Sequence, residues 1–275
     1  MPELPEVERA RATIARAALG RRITAVDDAD TWVCRPHAPG DLASALVGRE
    51  LTVAHRRGKL MWCETSALRG EDDPGPLLGI HLGMSGRVVV TAADGEADEG
   101  GDRVRGTGAT SPSRKREWDR FTLTFADGGE LRLFDKRRLG RVRLDPDMDA
   151  LGPDAEQVGL AEFRQRVGRG HAPVKARLLD QSVLAGVGNL LADETLWQAR
   201  IDPARPVDTL DEQDLAALRR ALRRAIRSAV AKGGVHTGRV IEHRRPGGVC
   251  PRCGATMTRG TVGSRTTWWC PQEQR

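Results

Sequence analysis

The sequence predicts an α+β protein of several domains, on three observations. Apolar residues alternate in strand fashion through most of the first half. They recur at helical spacing in the second half, and a Cys-X2-Cys pair stands near the end. The period changes after "LDPD" at 144–147, which bounds a β-rich domain at residues 1–147. A helical domain follows over 148–232, and a cysteine-bearing segment closes the chain over 233–275. At 275 residues the chain can bury a sizeable core without disulfide help.

The elements follow in order. In "MPELPEVE", Pro5 suits the first turn of a helix, where its missing N–H costs nothing, and the glutamates favour the positive helix start. Val7, Ala10, Ile14 and Ala18 then recur on one face, and Gly20 stops the helix, giving residues 5–19. Strand-like segments come next at "RITAVDD", "LTVAHRR", "KLMWCET" and "GRVVVT". The clearest hairpin is "RFTLTFADGGELRLFDKRR": Phe121, Leu123 and Phe125 alternate on one arm, Leu131 and Leu133 on the other, and Asp127-Gly128 turn between them. Residues 92–117 carry Gly, charge and small polar groups with few apolar side chains, and read as a mobile loop. In the helical region, Leu215, Leu218, Leu222, Ile226 and Val230 share one face, arginines take the other, and Thr209 and Glu212 stand at capping-box spacing ahead of them.

Charge narrows the function. Lys and Arg outnumber Asp and Glu by 44 to 38, and from Leu215 to the end there are 13 basic residues against 2 acidic ones. That imbalance suits a polyanion, nucleic acid before membrane, since no lipid-anchoring pattern or long apolar span accompanies it. The start lacks a basic lead followed by an apolar run, so a cytoplasmic protein is expected. Five cysteines are too few and too scattered for a disulfide framework.

Three motifs carry chemistry. Cys250 and Cys253 have the gap that lets two thiolates reach one zinc, and Cys270 follows after an arm with a Gly-rich middle that can form a hairpin. Where a second "CPxC" would close the site the chain has "CPQE", so the fourth ligand is Glu273 or water, or the site is metal-free and the hairpin rests on Trp268 and Trp269. In "AGVGN", glycines at 186 and 188 allow a close backbone approach, and a helix starting near Asn189 would aim free N–H groups at a phosphate; a tight turn between packed helices fits equally. Lys59 stands beside Arg56 and Arg57, and Met84 occupies a Gly-flanked tip three residues after His81. There Met84 is either core or a wedge for a base stack.

Taken together, these residues resemble the formamidopyrimidine-DNA glycosylase and endonuclease VIII family of base-excision repair enzymes. The likeness runs nearly end to end through "MPELPEVE", "RRGKLMW", "HLGMSGR", "DKRRLGR", "LGPD", "LLDQSVLAGVGNLLADETLWQARIDPARP", "CPRCG" and "SRTTWWC". It implies an N-terminal β-sandwich with a leading helix, a helix-two-turn-helix domain, and a zinc-finger-like β-hairpin, with double-stranded DNA held in a cleft by a monomer.

The resemblance also assigns roles. Pro2, freed of Met1, is the nucleophile, Glu3 the general acid/base, Glu6 a positioning group, and Lys59 a contact to phosphate and the reacting centre. Met84, Arg137 and Leu139 fill the gap left by the extruded nucleotide, while His81, Asn189 and Arg265 contact phosphate. A zinc on Cys250, Cys253, Cys270 and Glu273 is structural. Two departures bear on substrate: Leu139 replaces a residue usually aromatic in the formamidopyrimidine branch, and the 18 residues "AKGGVHTGRVIEHRRPGG" are shorter than in members that cap 8-oxoguanine there. Poor 8-oxoguanine excision is therefore expected, with better action on formamidopyrimidines, hydantoins, oxidised pyrimidines or abasic sites. The competing expectation is a silent binder of damaged DNA, which would have no need of Pro2, Glu3 and Lys59.

Overall fold

A computed structural model describes residues 1–101 and 115–275 of the chain. Packing divides them into two units, one of Met1–Pro2 with Glu6–Met148 and one of Glu3–Pro5 with Asp149–Arg275.

In chain order the first unit carries α1 (Leu4–Ala17, whose first residues count with the second unit), β1 (Ile23–Asp27), α2 (Asp41–Leu46), β2 (Leu51–Arg57), β3 (Leu60–Thr65), β4 (Leu78–His81), β5 (Arg87–Thr91), β6 (Ala97–Gly101), β7 (Asp119–Phe125), β8 (Glu130–Phe134) and β9 (Arg141–Leu144). These strands build two antiparallel sheets, β1-β7-β8-β5-β6 and β2-β3-β4-β9. One core fills the sandwich, with Val7, Ala10 and Ile14 of α1 joining Phe121, Leu123, Leu131 and Leu133 of the sheets. The β7–β8 hairpin pairs Phe121 with Leu133 and Leu123 with Leu131, the register that its alternation demands.

The loop expected over 92–117 is corrected in part. Its residues 97–101 form β6, hydrogen-bonded along β5, while residues 102–114 lie outside the described residues. Apolar content misleads here because glycine itself is the packing group: a Cβ on Gly100 would overlap the Ala10 backbone of α1. Asp98 then pairs with Arg16 of the same helix.

The second unit carries α3 (Leu160–Val167), α4 (Val174–Leu179), α5 (Asn189–Ala199), α6 (Glu212–Lys232), β10 (Thr258–Val262) and β11 (Arg265–Trp269). Phe163, Leu178, Leu191, Leu196, Leu218, Leu222 and Ile226 make its main core. The cap of α6 also differs from expectation. Asp211, not Thr209, accepts the Asp214 N–H at 2.7 Å, and Thr209 instead bonds Pro206 and Arg205 within the preceding turn. The hairpin of β10 and β11 has its own small core of Val240, Cys250, Met257, Trp268 and Cys270 around Trp197, a side chain supplied by α5. Residues 233–275 therefore pack in one unit with the helices. Among the described residues no helix is long and apolar enough to cross a membrane.

Candidate nucleic-acid interface

In the first unit, β2 and β3 pair Arg57 with Leu60, which leaves Gly58 and Lys59 as a two-residue turn with Gly58 at φ 60°. Lys59 is half-buried at this tip. Arg56 just before it donates from Nε to Glu8 Oε2 at 2.9 Å and so ties α1 to β2. Leu60 pairs with His81 on β4. The Nδ1 of His81 accepts the Gly83 N–H at 3.1 Å, which assigns the ring proton to Nε2 in the neutral form. Burial, with the charges of Lys59 and Arg143, pushes the His81 pKa down to about 4. At neutral pH the ring is thus an uncharged single donor.

Asp135, at the end of β8 and fully buried, organises the two loops beside it. Its Oδ2 accepts the N–H groups of Leu139 and Gly140, each at 2.7 Å. Its Oδ1 accepts the Arg137 N–H and the Ser85 hydroxyl, each at 3.1 Å. One carboxylate thereby anchors both the Met84 tip and the 137–139 turn. The loops touch directly as well, since a Cβ on Gly83 would overlap the Leu139 carbonyl. Arg138 sits at φ 54°, a left-handed conformation held by a two-point ion pair from Nε and Nη2 to Asp30 at 2.9 and 2.8 Å. Met84 and Leu139 are 38% exposed each, two apolar side chains presented to solvent where a core role would have buried them.

In the second unit, the group approached by "AGVGN" is a carboxylate of the same chain. Glu3 is 1% exposed, and its Oε2 accepts from the Gly188 and Leu191 nitrogens at 3.1 and 3.0 Å. Its Oε1 accepts from Leu190 at 2.9 Å. The first N–H groups of α5 are thus taken by Glu3, which corrects the reading of them as a phosphate cradle; the helix dipole favours either anion equally. Gly188 leaves room for this contact, because a Cβ there would overlap the Glu3 carboxylate and force it to shift. The Leu4 N–H adds a bond to the Gly186 carbonyl at 3.1 Å, with Gly186 at φ 112°. Pro2 therefore precedes a residue fixed on three sides. Glu6, in the first turn of α1, is fully buried.

The hairpin is fastened to the same helix start. Asn189 Nδ2 donates to the Thr266 carbonyl at 3.0 Å, next to Arg265. Lys175 of α4 is fully buried and donates from Nζ to Thr267 Oγ1 at 2.8 Å, while pairing with Asp193 of α5 at 2.6 Å. Asp193 also accepts from Arg244 Nε at 2.7 Å. The β10–β11 turn, Gly263-Ser264, has both residues at positive φ and rests on Ala176 of α4. Arg265 thus leaves a turn braced by two helices.

At the base of the hairpin, the sulfurs of Cys250, Cys253 and Cys270 lie within 4.8 Å of one another, with Cys253 and Cys270 at 3.5 Å. Tetrahedral zinc–thiolate bonds of about 2.3 Å place sulfurs roughly 3.8 Å apart, so the three fit one metal ion. Burial raises the Cys250 thiol, but the Trp197 indole N–H and the Arg252 and Cys253 backbone N–H groups outweigh it and push its pKa down to about 7. Glu273 is not drawn into this cluster. Its Oε2 lies 3.1 Å from Arg252 Nη1 and 3.4 Å from Arg200 Nε.

The residues singled out by sequence thus fall into two sets. Lys59, His81, Met84, Arg137 and Leu139 share the loops of the first unit; Glu3, Asn189, Arg265 and the three cysteines share the second. Sequence reading passed over Asp135, Lys175, Asp193 and Trp197, which hold these groups in place. Asp135 left a trace, an Asp two residues ahead of the N–H it binds; the buried Lys175–Asp193 pair left none.

Comparison with known proteins gives one answer. Residues 1–142 match the formamidopyrimidine-DNA glycosylase N-terminal domain, and residues 150–239 match the H2TH domain of the same enzymes. A formamidopyrimidine-DNA glycosylase of Mycobacterium ulcerans is 33% identical over all of this chain and 98% of its own. That of Parafrankia is 32% identical over 98% and 97%. Among solved structures, Lactococcus lactis Fpg in complex with abasic-site DNA superposes with a TM-score of 0.78 at 25% identity, covering 99% of each chain. The same protein bound to FAPY-dG DNA gives the same score.

Proposed function

The chain belongs to the formamidopyrimidine-DNA glycosylase family, and from that premise we propose a bifunctional glycosylase and lyase that removes oxidised bases from double-stranded DNA in the cytoplasm and nicks the strand through an iminium on Pro2. The observation that carries this reading is Glu3 seated on the α5 N-terminus, which fixes the backbone immediately after Pro2.

The chemistry follows from the residues. With Met1 attached, the Pro2 nitrogen is an amide; its removal gives a secondary amine with a pKa of about 8, partly neutral at working pH. That amine attacks C1′ of the damaged nucleotide, the C1′–N bond breaks, and the base departs with a proton. Ring opening, assisted by Glu3 as acid and base, leaves an iminium that drains electrons from C2′. Loss of the C2′ proton expels the 3′ phosphate, and a second elimination expels the 5′ phosphate. Glu6 supports the site, and Lys59 meets the phosphate beside the reacting carbon. His81, Asn189 and Arg265 hold the strand, while Met84, Arg137 and Leu139 fill the vacated stack. Cys250, Cys253 and Cys270 would hold zinc, which ties together the base of the hairpin that presents Arg265.

Substrate preference follows from residues 231–248. This short segment is bound to α5, where Glu194 Oε2 accepts the Val240 N–H at 2.9 Å. It supports formamidopyrimidines, hydantoins and oxidised pyrimidines over 8-oxoguanine. Single-turnover excision on matched duplexes tests this: rates at least tenfold higher on those lesions than on 8-oxoguanine opposite cytosine, with phosphate at both ends of the gap, are expected. Equal rates would overturn the preference, and base release without nicking would overturn the lyase step.

A further inference from the structure

We infer that the outer face of α6 is a second nucleic-acid surface that grips the sugar-phosphate backbone of a duplex segment away from the lesion. From Arg219 to Lys232 the helix carries six basic residues and no acidic one. Arg219, Arg223 and Arg227 form one stripe at i, i+4 spacing, and Arg220 and Arg224 form a second beside it. Together with Ser228 they line an open groove. Like charges at this spacing modestly disfavour a helix, a cost that a bound anion would offset.

No carboxylate among the described residues does so. Among the described residues, Arg220, Arg223 and Arg227 form no ion pair, and the Nε of Arg223 is buried without a hydrogen-bond partner. The carboxylates near α6 are engaged elsewhere: Glu212 with Arg164, Asp214 with Arg205, Glu162 with Arg166, and Glu194 with Gln198 and Val240. Arg219 and Arg224 are partly spent on the Val158 carbonyl and Gln198.

The chemistry of the face selects phosphate. Successive arginines of a stripe stand about 6 Å apart along the axis, close to the roughly 6.8 Å of two base steps on one strand. Guanidinium forks suit phosphate oxygens. No exposed large apolar side chain lies on α6, which leaves a protein partner without the apolar centre of an interface. The face is also separate from Asn189 and Arg265. Arg224 bonds Gln198, nine residues along α5 from Asn189, or about 14 Å.

The test uses the full chain. Protein is first saturated with a short duplex holding a tetrahydrofuran abasic analogue, and a second, fluorescent, lesion-free duplex is then titrated across salt. Wild type captures the second duplex. R220Q/R223Q/R227Q loses tenfold or more of that affinity, its log–log salt slope falls by about 2.7, and its affinity for the first duplex stays within twofold. R220K/R223K/R227K retains the charge and the capture, which separates the surface from folding. On free protein the lesion-free duplex also reaches the first site, so there the stripe is read as the difference in affinity and salt slope between wild type and the glutamine variant. Three results overturn the inference: no second capture by wild type, unchanged affinity and slope in the glutamine variant, or equal loss for both duplexes. The second would leave the face to an acidic protein.

Discussion

Glu3 Oε2 stands 3.0 Å from the backbone nitrogen of Leu191, a bond between the third residue of the chain and the first turn of a helix 188 positions away. With the bonds from Gly188 and Leu190, it makes the α5 N-terminus the seat of the residue after Pro2. Gly188→Ala is expected to displace this carboxylate, costing about 1–3 kcal/mol in chemical denaturation from overpacking. Excision should fall far more than stability. Glu3→Gln keeps the size but presents an amide N–H2 to helix donors, leaving an N–H unmatched at about 1–3 kcal/mol. Wild-type stability in both variants would contradict the seat.

Asp135 fixes two loops through four hydrogen bonds. Asp135→Ala should cost about 2–4 kcal/mol, since buried backbone donors lose a charged acceptor. It should also weaken binding to duplex with an abasic analogue more than Leu139→Ala does, because the truncation removes one of the three side chains proposed to fill the gap, whereas the Asp135 change unsettles the loops that carry all three. Fluorescence anisotropy on both variants makes the comparison.

His81 gives a pH signature. Its folded pKa of about 4 lies below the ordinary 6.5, so the folded state takes up its proton later than the unfolded state. Its contribution to stability is complete above pH 6.5 and is lost as pH falls toward 4, by at most about 3 kcal/mol. His81→Gln should flatten that part of the stability–pH curve. Imidazole NMR should show the Nε2–H tautomer at pH 7 and a midpoint near 4; a midpoint near 6.5 would contradict the burial.

Much of this architecture was legible in the chain, and the gaps have physical causes. The period-2 alternation of 121–125 and 131–133 specified a hairpin because burial of one face fixes register. The glycines of "AGVGN" announced a close approach but not its object, since Glu3 lies 185 residues before Gly188. A helix N-terminus accepts a carboxylate or a phosphate on the same terms, so only the fold could choose. Strand β6 was hidden because glycine packing against α1 leaves no apolar signal. The Lys175–Asp193 pair was hidden because two charges far apart in sequence read as surface until they meet in a core.

At the hairpin base the three sulfurs are close enough together to hold one metal ion, while Glu273 pairs with Arg252 and Arg200. Glu273→Ala should leave zinc stoichiometry and the cobalt(II) absorption spectrum unchanged. Glu273→Cys should add thiolate-to-metal intensity and slow metal loss to a chelator. A spectrum altered by the alanine change would assign that carboxylate to the metal. Removing the metal should weaken duplex binding through Arg265 before it touches reactivity at Pro2.

The proposed nucleophile is the Pro2 nitrogen, and borohydride trapping tests it most directly. Protein freed of Met1 is incubated with an abasic-site duplex and borohydride, and the adduct is mapped by mass spectrometry. The expected result is one covalent adduct on the Pro2 nitrogen, absent when Met1 is retained. Correctly processed protein that binds the duplex and traps nothing, or an adduct on Lys59 in place of Pro2, would contradict it.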